Sequence, residues 1–199
     1  MTRPLAIDSE ALAARAQAGC RESFGLLVER HQKGLYNFLL QRVRSPDEAE
    51  DLTQESFVRA WRRLATYRDR WRFSTWLYAV ARSAAADAAR TRRDSTQAES
   101  REPSFDPDPA AALAAREEGE NLWRLAREVL GEDQRSALWL FYAEDRSAAE
   151  IGKVLGKSPI AVRVMLFRAR GVLARHLEHD ASRTGAARVP RSRMETLSP

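Results

Sequence analysis

The residues of this 199-residue chain that could do chemistry are grouped by type. Between Phe57 and Arg93, ten arginines (Arg59, Arg62, Arg63, Arg68, Arg70, Arg72, Arg82, Arg90, Arg92 and Arg93) face only Asp69 and Asp87, a net charge of +8. Trp61, Tyr67, Trp71, Phe73, Trp76 and Tyr78 are interleaved with them. Guanidinium groups hold phosphates and aromatic faces stack on unpaired bases, so the combination describes a single-strand nucleic-acid surface. A hydrophobic core would claim many of the same apolar side chains, and it does so for Phe57, Trp61 and Leu64. Tyr67 and Trp71 fall in a charged loop, where burial is harder to arrange.

Two further groups flank this one. Asp47, Glu48, Glu50, Asp51 and Glu55 precede it. Acids there complement a helix macrodipole. Asp51 and Glu55, four apart with Gln54 beside them, also form an edge suited to a basic protein surface. Farther on, Arg146 to Leu177 carries seven bases (Arg146, Lys153, Lys157, Arg163, Arg168, Arg170, Arg175) against Glu150 alone, a net +6.

Enzymatic chemistry is not supported. Three histidines, one cysteine and no phosphate-cradling glycine loop leave no catalytic set. His176 and His179 are three apart with only Asp180 nearby, which favours a fortuitous pair over a metal site. No metal and no cofactor are expected. Cys20, the only cysteine, excludes an intrachain disulfide, reads as an inert thiol and fits a reducing cytoplasm.

The elements that must position these groups all have helical spacing, so the chain reads as all-α. One helix spans roughly Ser9 to Ala18. A second begins near Arg21 and repeats Phe24, Leu27, Val28, Leu35, Phe38 and Leu39. Ser45-Pro46-Asp47-Glu48 starts a third, with Ser45 as N-cap, Pro46 in the first turn and Glu48 closing a capping box. That helix buries Ala49, Leu52, Phe57, Ala60, Trp61 and Leu64. Ser74 or Thr75 opens a fourth, running to about Arg92.

From Asp94 to Glu120 eight acids against two arginines, with Pro103, Pro107 and Pro109, describe a flexible acidic linker. Leu122, Leu125, Val129, Leu130, Leu138 and Phe141 restart the helical pattern beyond it. Ser147-Ala148-Ala149-Glu150 is a second capping box, Gly156 can end that helix in the left-handed region, and Ser158-Pro159 starts the next. Two short helices joined by such a turn form a helix-turn-helix, whose second helix enters the major groove. A plain helical hairpin with a solvated arginine face is the alternative. Val162, Leu166, Ala169 and Leu173 fall on the inward face, and Arg163 and Arg170 share an outer one.

The reading is therefore two small helical domains on an acidic tether: an N-terminal helical bundle over 1–93, the linker over 94–120, a helix-turn-helix domain over 121–178, and a disordered tail over 179–199. A pI near 9.9 favours an anionic partner. No run of about 18 apolar residues could cross a bilayer, so no membrane insertion is expected.

These segments resemble, in order, the extracytoplasmic-function branch of the sigma-70 family. Phe24-Gly25-Leu26-Leu27-Val28 and Leu35-Tyr36-Asn37-Phe38 are similar to its first conserved helix. Asp47 through Phe57 resembles its polymerase-docking segment, and Phe73 through Tyr78 with Ala81-Arg82 its −10 segment. Asp133-Gln134-Arg135, Ser147 through Ile151 and Leu166 through Arg170 resemble its −35 segment. Ser83 stands where the family has asparagine, Leu130-Gly131 where it has leucine-proline, and Val164 and Met165 where it has more polar residues.

The resemblance implies a non-enzymatic specificity subunit of RNA polymerase acting in the cytoplasm. Asp51, Gln54, Glu55 and Phe57 would bind core RNA polymerase. Tyr67, Trp71, Arg72, Phe73, Trp76, Arg82 and Ser83 would meet melted −10 promoter DNA. Lys157, Ser158, Arg163, Arg168 and Arg170 would meet the −35 duplex. It also implies an anti-sigma factor as a further partner. A stand-alone helix-turn-helix regulator leaves the acidic edge unexplained, and a peripheral membrane protein leaves the capped turn unexplained.

Overall fold

The computed structural model describes residues 7–43, 45–95 and 122–184, and every regular element among them is helical. The helices are α1 (Ser9–Gln17), α2 (Arg21–Leu40), α3 (Pro46–Arg63), α4 (Phe73–Ser95), α5 (122–129), α6 (Glu132–Tyr142), α7 (Ala148–Leu155) and α8 (Pro159–Thr184). A single 3-10 turn, Leu64–Thr66, follows α3. Most of the predicted linker lies outside the described residues, as does the tail beyond Thr184. The expected tail boundary moves, because α8 continues through 179–184.

Local chemistry explains the helix starts. Asp8 caps α1, accepting from Ala11 N at 2.7 Å. Ser45 caps α3 through Glu48 N with Pro46 at the first position, as the sequence predicts. The expected capping-box return by Glu48 is replaced by an ion pair with Arg92 on α4. Ser147 and Glu150 form the reciprocal capping box of α7, with Ser147 N donating to Glu150 Oε2 at 3.0 Å. Gly156 ends α7 at φ 66°, ψ 37°, the left-handed cap expected of it.

In the first four helices Leu12, Leu27, Leu35, Phe38, Leu52 and Leu77 meet in a dry centre. Two long-range contacts fix the loop that leads into α4. Gln17 Nε2 donates to the carbonyls of Leu64 (2.8 Å) and Tyr67 (3.1 Å). Glu10 Oε1 accepts from Phe73 N at 2.8 Å, satisfying a donor at the start of α4. Helix α1 therefore acts as a strap across the aromatic loop. In the last four helices, Val162, Leu166, Ala169 and Leu173 of α8 face inward onto Leu138, Leu140, Ile151 and Val154, as their spacing predicts.

The two groups of helices also pack on one another, α7 against α4 and α6 against the end of α2.

Candidate nucleic-acid interface

Helix α3 presents Asp47, Asp51, Gln54, Val58 and Trp61 along one exposed face. Their spacing of four, three, four and three residues is that of a single helical stripe. It is acidic at its N-terminal end and apolar at its C-terminal end. Glu55 points sideways, pairing with Arg59 Nε at 2.7 Å, and Arg59 reaches on to Asp87 Oδ2 at 2.5 Å. Hydrogen bonds from Arg59 and Arg90 hold the Asp87 carboxyl below the usual carboxylate range. Phe57 is buried, so its contribution to any docking is to set the helix on its core.

The aromatic loop divides into inner and outer rings. Tyr67 is only 3% exposed, stacked edge-on against Phe73 at 5.4 Å and beside Trp76 at 5.5 Å. Its hydroxyl donates to Trp71 O at 3.0 Å, and burial pushes its pKa up to about 12. The expected stacking platform at Tyr67 is therefore a core residue. Phe73 is also fully buried. Outside them, Arg62, Arg63, Arg68, Arg70 and Arg72 are exposed, with Trp71 half-buried beneath them. Trp61, expected in the core, is instead 39% exposed and packs edge-on to Phe24 at 4.9 Å.

The part of this surface around Trp71, Thr75 and Arg82 packs against the second group of helices. Thr75 donates to Glu150 Oε1 at 3.3 Å, and Arg72 approaches the same oxygen at 3.6 Å. Burial opposes the charge on Glu150, yet hydrogen bonds from Ser147, with Arg72 and Arg146 nearby, hold its carboxyl below the ordinary value. Lys153 sits 5.3 Å from the Trp71 ring centroid. Arg82 carries a buried Nε without a hydrogen bond and lies against the turn at Gly156. Ser83 is half-buried on the same helix.

A polar clasp joins the two groups of helices in this closed arrangement. Arg42, just past α2, has a side chain only 6% exposed and pairs with Glu132, with Asp133 at 3.6 Å. It also donates to Ser136 Oγ at 2.9 Å. Burial pushes the Arg42 pKa down while Glu132 and Asp133 pull it up. Arg135 Nε returns a bond to Gln41 O at 2.8 Å. Tyr78 hydrogen-bonds Glu144, and a Cβ on Gly34 would stand 2.7 Å from Glu144 Oε1 and 2.8 Å from Tyr78 Oη. Glycine is what lets these two side chains meet over α2.

The helix-turn-helix is built as its sequence implies. Ser158 accepts from Ala161 N at 3.2 Å, capping α8. Gly152 is required by the turn, since a Cβ there would lie 2.6 Å from the Lys157 carbonyl oxygen. Arg163 and Arg168 are exposed on α8. Lys157 is paired with Asp133 at 2.9 Å. Arg170 departs from the expected outer face: its guanidinium lies over Phe141 (5.4 Å) and Tyr142 (5.6 Å).

Residues 27–95 match the family "Sigma-70 region 2", and residues 123–173 match "Sigma-70, region 4". The chain is 33% identical over 175 residues to the ECF RNA polymerase sigma factor BldN of Streptomyces coelicolor, an alignment covering 85% of this chain and 66% of that protein. It is 32% identical over 183 residues to the RNA polymerase sigma-H factor of Pseudomonas aeruginosa, covering 86% and 94% respectively. The chain belongs to the extracytoplasmic-function sigma factors of the sigma-70 family. Among solved structures, that of CnrH in complex with the cytosolic domain of CnrY matches with a TM-score of 0.65 at 27% identity, covering 86% of this chain and 98% of that one.

In this sigma factor, region 2 comprises α2 to α4, strapped by α1, and region 4 comprises most of α5 to α8. Sequence reasoning left Val58 out and counted Trp61 as inward, because a large apolar residue on an amphipathic helix ordinarily faces the core. Their seven- and ten-residue offsets from Asp51 place them on the acidic face, and that was the available signal. It also missed the clasp of Arg42 with Glu132, Asp133 and Ser136, which has no local signature.

Proposed function

We propose that this protein is a dissociable specificity subunit that binds core RNA polymerase and directs transcription initiation at a restricted set of promoters. The exposed α3 stripe of Asp47, Asp51 and Gln54, ending in Val58 and Trp61, is the docking face. Glu55 and Phe57 position it, one through Arg59 and the other through the core. Residues 1–93 dock and hold melted −10 DNA on Arg72, Trp71, Trp76, Arg82 and Ser83. Residues 121–178 read the −35 duplex through Lys157, Ser158, Arg163 and Arg168, with Arg170 supporting α8 from below.

The observation that carries this reading is one domain with both an acidic protein-docking face and an arginine-aromatic surface, beside a second with a capped helix-turn-helix. Neither DNA surface is fully open while Arg82 lies against the Gly156 turn. The closed state is thus the polymerase-free form, and the domains part when both engage the polymerase and DNA. An anti-sigma factor, expected from the family resemblance, would act on this polymerase-free form in the cytoplasm.

Gel filtration of core polymerase with the purified chain tests the docking step. Co-elution is expected for the native chain and lost in an Asp51→Ala/Gln54→Ala variant with unchanged melting temperature. Co-elution that survives the double substitution removes the α3 face from the reading, and none with the native chain removes the reading.

A further inference from the structure

The N-terminal half of α8 exposes three large apolar side chains: Ile160 (70%), Val164 (44%) and Phe167 (77%). At about 100° per residue they fall within roughly 60° of arc. Arg163 and Arg168, both exposed, bracket the stripe on its two sides. The inner face of the same helix is already satisfied by Val162, Leu166, Ala169 and Leu173. The stripe is therefore not a misplaced piece of core. It is an apolar floor between two cationic walls, on the helix that a helix-turn-helix delivers to the major groove.

That combination restricts what can occupy it. None of the three side chains can donate or accept a hydrogen bond, so none can read the polar edge of a guanine, cytosine or adenine. The one apolar group that a base pair offers in the major groove is the C5 methyl of thymine. The arginines match the phosphates or guanines on either side.

We propose that the −35 preference of this sigma factor is set in part by thymine methyl groups packed against Ile160, Val164 and Phe167, with Arg163 and Arg168 gripping the flanking strand. The proposal rests on the reading of the protein as a promoter-binding sigma factor and names the chemistry its region 4 reads. Val164 is the central specificity residue, lying between the other two along the stripe.

The test uses the holoenzyme of core polymerase and full-length chain. A −35 duplex is selected from a randomised library, then resynthesised with each thymine in turn replaced by deoxyuridine, which removes only the methyl group. Native holoenzyme should lose about four-fold in affinity at each methyl that contacts the stripe, the scale set by burying one such group. Val164→Ser and Phe167→Gln variants should bind thymine and deoxyuridine duplexes alike, while keeping native helicity and core binding. Equal binding of the two duplexes by the native holoenzyme overturns the proposal and leaves the stripe to a protein partner. A methyl preference unchanged in both variants overturns it too. A holoenzyme that selects no −35 sequence at all strikes at the sigma reading itself, and is distinguishable from either result.

Discussion

Removing Arg42 should open the molecule. Its side chain is almost wholly buried between the helix groups, where it meets Glu132, Asp133 and Ser136. Stripping one partner from a fully buried pair costs about 3–5 kcal/mol. Here Glu132 is 48% and Asp133 35% exposed, so both carboxylates can regain water once the guanidinium is gone. That places the cost of Arg42→Ala nearer the ~2 kcal/mol between the buried and surface limits. A loss of that size shifts the closed-to-open ratio about 30-fold. A protein open about 1% of the time would become open about 25% of the time, and its duplex affinity would rise about 20-fold. Fluorescence anisotropy with a labelled promoter duplex reads the affinity, and small-angle scattering reads the expansion. Gly34→Val attacks the same interface from α2, since its side chain would collide with Tyr78 and Glu144, and should act in the same direction. If both variants keep native helix content but show neither expansion nor tighter duplex binding, the clasp does not control access to the DNA surfaces.

Other consequences are open to direct measurement. Asp51→Ala/Gln54→Ala should weaken core-polymerase binding at least ten-fold, about 1.4 kcal/mol, while leaving the thermal midpoint within a degree or so, because both side chains are exposed. Gly152→Ala should destabilise the protein by about 1–3 kcal/mol, as its Cβ meets backbone that cannot swing aside; a thermal midpoint equal to the native one would show the turn is looser than described. His31 hydrogen-bonds Ser9 at 2.9 Å, and burial, with Arg30 and Arg146 nearby, lowers its pKa to about 4. The folded group stays neutral while the unfolded one protonates near pH 6.5, so its contribution is full above that value and falls away as pH drops toward about 4. Over that window it removes about 3 kcal/mol; urea titrations at several pH values should show the loss, and His31→Gln should flatten it.

What was legible in the sequence was local in origin. Ser45 with Pro46, Ser147 with Glu150, and Gly156 each act within a few residues, so their spacing specifies a cap or a stop without reference to the rest of the chain. The inward face of α8 was equally readable, because Val162, Leu166, Ala169 and Leu173 follow the helical period. Tyr67 was not. Its burial depends on Gln17, Phe73 and Trp71 meeting around it, and Gln17 lies fifty residues away. Trp61 erred in the other direction, since a large aromatic gives no local sign that its helix face is left open. Arg170 shared a face with Arg163 by spacing, but Phe141 and Tyr142 on α6 capture its guanidinium. The clasp joins residues 94 apart in the chain, Arg42 and Ser136, across the linker, and no periodicity encodes that pairing.

Run-off transcription with purified core polymerase, this protein and a library of genomic promoter fragments is the most direct test of its role. Transcripts should appear only when the protein is added and vanish with the Asp51→Ala/Gln54→Ala variant. No protein-dependent transcript, together with tight duplex binding by the protein alone, would contradict the sigma-factor role and point to a regulator that works without the polymerase contact.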